Sequence, residues 1–290
     1  MKVFALKYLV FVLFAYTFIG TLRANDYTDA YDQNCCRSYE CSCNPLYCGA
    51  FDIEFQGGVA PILWRNRGGI AAVNCSVSVP TPGFIPLFDI PKFSTFFKIP
   101  WTVGGQVGYA LSDNARVYLE FNYAQARAKS DSAILTTNPA LIPAQTLTFN
   151  FTKYKLFDGY VGARYYCDRW CDKISLFFGG KIGFTHHKQV DFGLTVTTPP
   201  AATITLFPAG TAFFASHTVV SGGGNFGLDI CFCGNWSLVI TGEIIASCGP
   251  HAIGNLEVPT PPVGAATSIV VGHIDTELRF PVTAGVRYSF

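Results

Sequence analysis

The chain is poor in charge. Only 13% of its 290 residues are Asp, Glu, Lys or Arg, against roughly 25% in an ordinary soluble domain. The net charge is +1, and no basic patch or stripe stands out, which argues against a nucleic-acid partner. Long apolar runs are also missing after the N-terminus. Gly, Pro or polar residues interrupt every one of them, so no later segment offers the ~20 residues of a spanning helix. The C-x-x-C spacing of a thiol redox centre is absent, and no Ser/His/Asp order stands out. Ser221-Gly222-Gly223-Gly224-Asn225 lacks the lysine and helix of a phosphate loop. These absences point away from an enzyme and imply no cofactor.

What is present is apolarity without a helix to carry it. Half of the residues are hydrophobic. The chain opens with Lys2 and Lys7, runs through an apolar stretch from Tyr8 to Gly20, and reaches Leu22-Arg23-Ala24. That is the three-part pattern of a secretory signal peptide, expected to be cut after Ala24. Only helices and closed barrels satisfy their backbone in lipid, so an exported, apolar chain with no spanning helix is expected to be a β-barrel.

The C-terminal stretch states the pattern most clearly. From Ile274 to Phe290 the even positions are apolar or small except Thr276, and the odd ones carry Asp275, Glu277, Arg279, Thr283, Arg287 and Ser289. This is a period of two, one face for lipid and one for a lumen. Upstream, Gly49 onward falls into four units with Pro-containing tips at Pro80-Thr81-Pro82, Asn138-Pro139, Pro199-Pro200 and Pro259 to Pro262. Short polar turns fall between them at Ser112 to Ala115, Asp168 to Lys173 and Cys233 to Asn235. Eight strands follow: Gly49–Leu63, Trp101–Leu111, Arg116–Ala128, Phe149–Tyr166, Ile174–Lys188, Thr218–Phe232, Ser237–Ser247 and Gly272–Phe290. Each reaches the ~9–11 residues of a tilted spanning strand. The expected fold is all-β, an eight-stranded antiparallel transmembrane β-barrel with short periplasmic turns, long extracellular loops and both termini periplasmic. The domain plan is signal peptide 1–24, a cysteine-rich periplasmic segment 25–48, and the barrel 49–290. The long loops are apolar, as in Phe84-Ile85-Pro86-Leu87-Phe88, so the hairpins are expected to continue above the membrane or pack over the mouth. Trp64 and Trp101 are expected at the outer interface, Trp170 and Trp236 at the inner one.

The polar faces define a candidate lumen: Asp52, Glu54, Arg116, Glu120, Asp158, Arg164, Lys181, Asp229, Glu243, Asp275, Glu277, Arg279 and Arg287, joined by Gln56, Gln106, Asn122 and Asn225. Eight strands enclose an interior just wide enough for side chains. A plug of ion pairs is therefore expected ahead of an open, charge-lined pore. Asp52 or Glu54 with Arg287 or Arg279 would pair across the seam where strands one and eight meet.

Eleven cysteines in an exported chain imply an oxidising compartment, and their odd number leaves at least one thiol unpaired within the chain. Cys35, Cys36, Cys41, Cys43, Cys48, Cys167, Cys171, Cys231 and Cys233 fall on the periplasmic side, and Cys75 and Cys248 on the other, where they could pair. Internal staples or links to a neighbouring protein both fit, while the C-x-C spacings match zinc sites poorly. The histidines, His186, His187, His217, His251 and His273, all fall toward the extracellular ends, where rim positions on loops are the plain reading and a metal site or pH gate the sharper one.

The strand count, loop asymmetry and terminal Arg287-Tyr288-Ser289-Phe290 resemble the small eight-stranded outer-membrane barrels of the OmpA-like and OmpW-like groups. That resemblance implies outer-membrane lipid as surroundings and Tyr288 and Phe290 as a signal read by the barrel assembly machinery. The cysteine-rich periplasmic side resembles the disulfide-linked envelope proteins of Chlamydia-like bacteria, which implies cross-linking to other cysteine-rich envelope proteins. The expected function is structural and surface-exposed, with a narrow porin-like channel or a carrier of small apolar solutes as the alternative.

Overall fold

Alternating strands present one apolar and one polar face, and eight of them here close on themselves. The computed structural model describes residues 48–66, 69–74, 84–89, 93–129, 132–136, 145–167, 173–198, 202–249, 255–258, 267–271 and 274–290. The expected signal peptide, the segment 25–47, Trp170, Cys75, Cys171, His251 and His273 lie outside them.

The ring runs β1 (Phe51–Val59), β5 (Trp101–Ser112), β6 (Ala115–Ala126), β9 (Tyr154–Tyr166), β10 (Ile174–His187), β13 (His217–Cys233), β14 (Trp236–Ser247) and β18 (Val282–Ser289), then returns to β1. Every pairing is antiparallel, and β1 closes the ring on β18 through Asp52↔Ser289 to Val59↔Val282. Strands one and eight continue past prolines as β2 (Ile62–Asn66) and β17 (Ile274–Arg279). Their register runs on without an inserted residue, since Ile62 faces Arg279. At the short-turn end, Asp113-Asn114 join β5 to β6, and Gly234-Asn235 join β13 to β14. Gly234 takes φ 51, a left-handed conformation that a side chain would strain.

The long connections carry structure of their own. β7 (Ser132–Thr136), β8 (Gln145–Phe151), β11 (Val190–Thr198) and β12 (Ala202–Phe214) form one four-stranded sheet. β3 (Gly69–Asn74), β4 (Phe84–Asp89), β15 (Asn255–Val258) and β16 (Thr267–Val271) form another. One short helix, α1 (Phe93–Phe96), precedes β5.

Burial separates the two faces. On β1, Phe51, Ile53 and Phe55 are exposed while Asp52, Glu54 and Gln56 are buried. An exterior of exposed Phe, Leu, Val and Ile around a charged interior is the inverse of a soluble protein, and it identifies the outer wall as the lipid face. Aromatic rings mark its limits. Trp101, Tyr123 and Phe157 pack edge to face and tilted along the long-loop end. Phe51 with Tyr109, Tyr165 with Phe178, and Trp236 with Tyr288 and Phe290 mark the other end. Trp101 and Tyr109 are eight residues apart on one tilted strand, which sets a belt roughly 20 Å tall at ~3.3 Å per residue and ~40° of tilt.

Two expected placements are overturned. Trp64 does not join the outer girdle. It turns into the barrel mouth, because the inward parity of β1 carries through Pro61 to Ile62 and Trp64. Ile274, expected on the lipid face, is fully buried in the apolar cluster at that mouth, where the register of β17 shifts between Ile274 and Thr276.

A filled lumen as the candidate functional site

Twelve of the thirteen expected lumen charges are buried inside the ring: Asp52, Glu54, Arg116, Glu120, Asp158, Arg164, Lys181, Asp229, Glu243, Glu277, Arg279 and Arg287. The side chain of Asp275 lies outside the described ones. Packed together, they form four linked groups.

Nearest the short-turn end, Arg287 bonds to Asp229 and donates to Tyr166 Oη at 2.8 Å. Beside it, Arg116 takes Asp52 in a two-pronged pair, with Nε 2.7 Å from Oδ2. Arg164 Nη1 lies 3.1 Å from Glu54 Oε2, and its guanidinium sits over the rings of Tyr118 and Phe177, 4.9 and 4.6 Å from their centroids. Tight packing favours glycine at two inward positions that flank Tyr118. A Cβ on Gly108 would collide with Arg116 and Asp52, and one on Gly162 with the Tyr118 ring.

The expected seam pairs are not formed. Glu54 and Arg287 are cross-strand partners on β1 and β18, yet Glu54 bonds to Arg164 and Arg116, Asp52 to Arg116, Arg287 to Asp229 and Arg279 to Asp158. Long guanidinium side chains pass over the adjacent strand to the next one or farther round the ring, because the interior of an eight-stranded barrel is only wide enough for side chains to fill.

At mid-barrel, Lys181 Nζ binds two carboxylates, 2.7 Å from Glu120 Oε1 and 2.8 Å from Glu243. Three amides also hold Glu120: Gln106 Nε2 donates at 3.2 Å, Gln56 Nε2 at 3.5 Å, and Asn122 Nδ2 more closely. Nearer the long-loop end, Arg279 binds Asp158 through both Nη atoms, at 2.7 and 3.0 Å, and also donates to Tyr160 and Thr185. Glu277 accepts from Tyr154 Oη at 2.6 Å and Trp64 Nε1 at 3.0 Å. Tyr154 spends its proton on Glu277, so His187 Nδ1, 2.9 Å away, is the donor in their contact.

An aromatic roof covers these layers. Phe93, Phe96 and Phe97 from α1 and its end pack with Phe149, Tyr154, Phe192, Phe213 and Phe214, all buried, and with Trp64 and Phe151. Sequence reasoning anticipated apolar loops over the mouth but not this helix, since a four-residue turn leaves no periodicity. Its signal was Phe93-Ser94-Thr95-Phe96-Phe97 between Pro91 and Pro100.

Of the histidines, His187 stacks on His217 with centroids 4.8 Å apart and planes at 6°. His186 bonds to Thr218 and Ser216 instead. Parallel rings cannot aim their nitrogens at one ion, and no metal-holding group of side chains occurs among the described residues. Cys48 and Cys167 are free at the short-turn end. Cys48 N donates to Asp113 Oδ1 at 3.1 Å. Cys248 is also free, so the pairing with Cys75 that their common side allowed is not formed. Cys231 is disulfide-bonded, and its partner's side chain is not among the described ones.

A closed antiparallel sheet with an apolar exterior, aromatic girdles and a charged interior defines a membrane β-barrel of the outer-membrane class. No family model matches the chain, and no curated protein does. Among solved structures it is similar to neisserial surface protein A (13% identity over 83% of this chain and 99% of that one, TM-score 0.38). It is similar as well to Ail, the attachment invasion locus protein of Yersinia pestis (10% identity, 84% and 100% covered, TM-score 0.38). The toluene transporter TodX of Pseudomonas putida matches at 9% identity, with 83% and 89% covered and a TM-score of 0.31. Likeness at this level carries no argument about function, and the barrel assignment stands on strand register alone.

Proposed function

We propose that this protein is a closed outer-membrane barrel with a structural and surface role, its termini periplasmic and its crown of loop sheets outside. One observation carries the reading: the lumen is filled, from the Asp229–Arg287 pair through Lys181 to Arg279 and the aromatic roof. Each of these layers ties charges from different strands together, so opening a continuous water path would have to break the ion pairs that span it. The exposed Cys48 and half-buried Cys167 thiols are available for disulfides to neighbouring cysteine-rich envelope proteins. Lipid is the partner of the outer wall, and the barrel assembly machinery reads Tyr288 and Phe290.

Planar bilayers test the reading. The refolded protein should give no stepwise conductance, and discrete openings in the unmodified protein would reverse it. The cross-linking part has its own test: a non-reducing gel of envelopes whose thiols were trapped before lysis should show high-mass species that collapse to one band on reduction. A second reading, a carrier of small apolar solutes, draws on the aromatic cluster at the mouth, a surface such solutes would wet. It requires the roof to move aside and the ion-pair layers to part.

A further inference from the structure

Six basic side chains crowd the long-loop rim of neighbouring strands: Lys98 before β5, Arg127 and Lys129 after β6, Lys153 and Lys155 at the start of β9, and Lys188 after β10. All are exposed except Lys155, which is half-buried. Backbone bonds place them side by side. Lys98 N donates to Arg127 O at 2.9 Å, and Lys188 N to Lys155 O at 3.0 Å. The β6–β9 register ends at Ala126↔Tyr154, and Arg127 and Lys153 are the residues next to that last pair. The band lies just beyond the Trp101–Tyr123–Phe157 girdle, where the lipid wall gives way to headgroups.

Like charges opposite one another on paired strands repel. Among the described residues none of the six meets a carboxylate. Asp191, the acid on this rim, accepts from Gln189 Nε2 at 2.7 Å, and Lys129 Nζ is turned to Ser94 O. The described long-loop ends of β13 and β14 carry no Lys or Arg, so the basic band does not continue onto those two strands. Farther out, the register sets Thr148 of β8 beside Thr195 of β11, a pair without charge.

We propose that this rim docks a phosphorylated glycolipid of the outer leaflet. Phosphates take the basic band, and the sugars extend outward over Thr148 and Thr195. The acyl chains cover the apolar wall of β6, β9 and β10 below, where Leu119, Phe121, Val161 and Ile182 are exposed. The proposal rests on the outer-membrane reading above.

The test uses the full mature chain in nanodiscs of neutral phosphatidylcholine, titrated with a diphosphorylated lipid A-type glycolipid and read by native mass spectrometry. Arg127→Gln, Lys153→Gln and Lys188→Gln together should weaken binding about 100-fold, at ~1 kcal/mol per base near an anionic surface. Lys173→Gln, at the opposite end, should change nothing. Raising salt from about 0.05 M to about 0.5 M should weaken binding to the unaltered protein, a measurement that needs no variant. Affinity unchanged in the triple variant, unchanged across the salt range, or matched by phosphatidylglycerol or the dephosphorylated glycolipid would overturn the proposal. Loss of the heat-modifiable mobility of a folded barrel would instead count against the barrel reading itself.

Discussion

Lys181 is the lumen group whose removal is most informative. Its ammonium lies 2.7 Å from Glu120 and 2.8 Å from Glu243, and all three are buried. Lys181→Met keeps most of the volume but leaves two carboxylates facing each other without a cation. Breaking a buried pair by removing one partner costs about 3–5 kcal/mol. The two acids are not equivalent, because Glu120 retains Gln56, Gln106 and Asn122 as donors while among the described residues the Glu243 carboxylate bonds only to Lys181. Glu243 should therefore carry most of the damage. Lys181→Met with Glu243→Met should recover most of the loss, since a buried pair replaced by apolar groups is often near neutral. Urea unfolding in vesicles, followed by the heat-dependent gel shift, measures both variants. A single variant within about 1 kcal/mol of the parent, or a double variant no more stable than the single, would refute the claim that this triad holds the mid-lumen together.

Two further substitutions probe the packing around that network. Phe97→Ala removes a side chain only 1% exposed from the centre of the roof and should cost about 3–5 kcal/mol by the same urea assay. Gly162→Val sets a branched side chain against the Tyr118 ring, which itself stacks on Arg164. The expected loss is about 1–3 kcal/mol, with slower refolding into vesicles as its companion signal.

Alternation made the barrel legible. Asp52-Ile53-Glu54-Phe55-Gln56 can be assigned to inside and outside by parity alone, and burial follows that parity. A residue's face is a local property of the strand. Its partner is not. Whether Glu54 meets Arg287 beside it or Arg164 across the lumen depends on barrel width and on side-chain reach, neither of which a single strand encodes. The roof was hidden for a related reason. Phe93, Phe96 and Phe97 converge on Phe149, Tyr154 and Phe214 from three separate connections, and residues so far apart in sequence leave no common period. The thiols were hidden too, because composition sets how many cysteines there are and not which ones meet. The rim of Lys98, Arg127, Lys153 and Lys188 escaped for the opposite reason: its bases are scattered singly or in twos along the sequence, and only strand pairing draws them into one band.

The prolines in strands one and eight show how lipid constrains where regularity can lapse. Phe280 N donates to Pro61 O, and Glu243 N to Pro281 O, both at 2.9 Å. Neither proline can return a bond, so the carbonyls of Phe280 and Glu243 lack their ladder donors at one level. In hydrocarbon an unpaired carbonyl costs several kcal/mol. The break is tolerated because it sits beyond Val59 and Val282, at the height of Trp101, where headgroups and water supply donors. Pro281→Ala should therefore leave assembly unchanged, the alanine N–H simply completing the ladder. Ala284→Pro is a different matter. Ala284 faces lipid and pairs with Gly57 on one side and Ile240 on the other, inside the girdles. A proline there removes a donor where no substitute exists, and it should cost at least ~3 kcal/mol and abolish the folded, heat-modifiable band. If Ala284→Pro assembled as well as Pro281→Ala, the girdles would not mark the limits of the lipid, and the belt would have to be drawn elsewhere on the barrel.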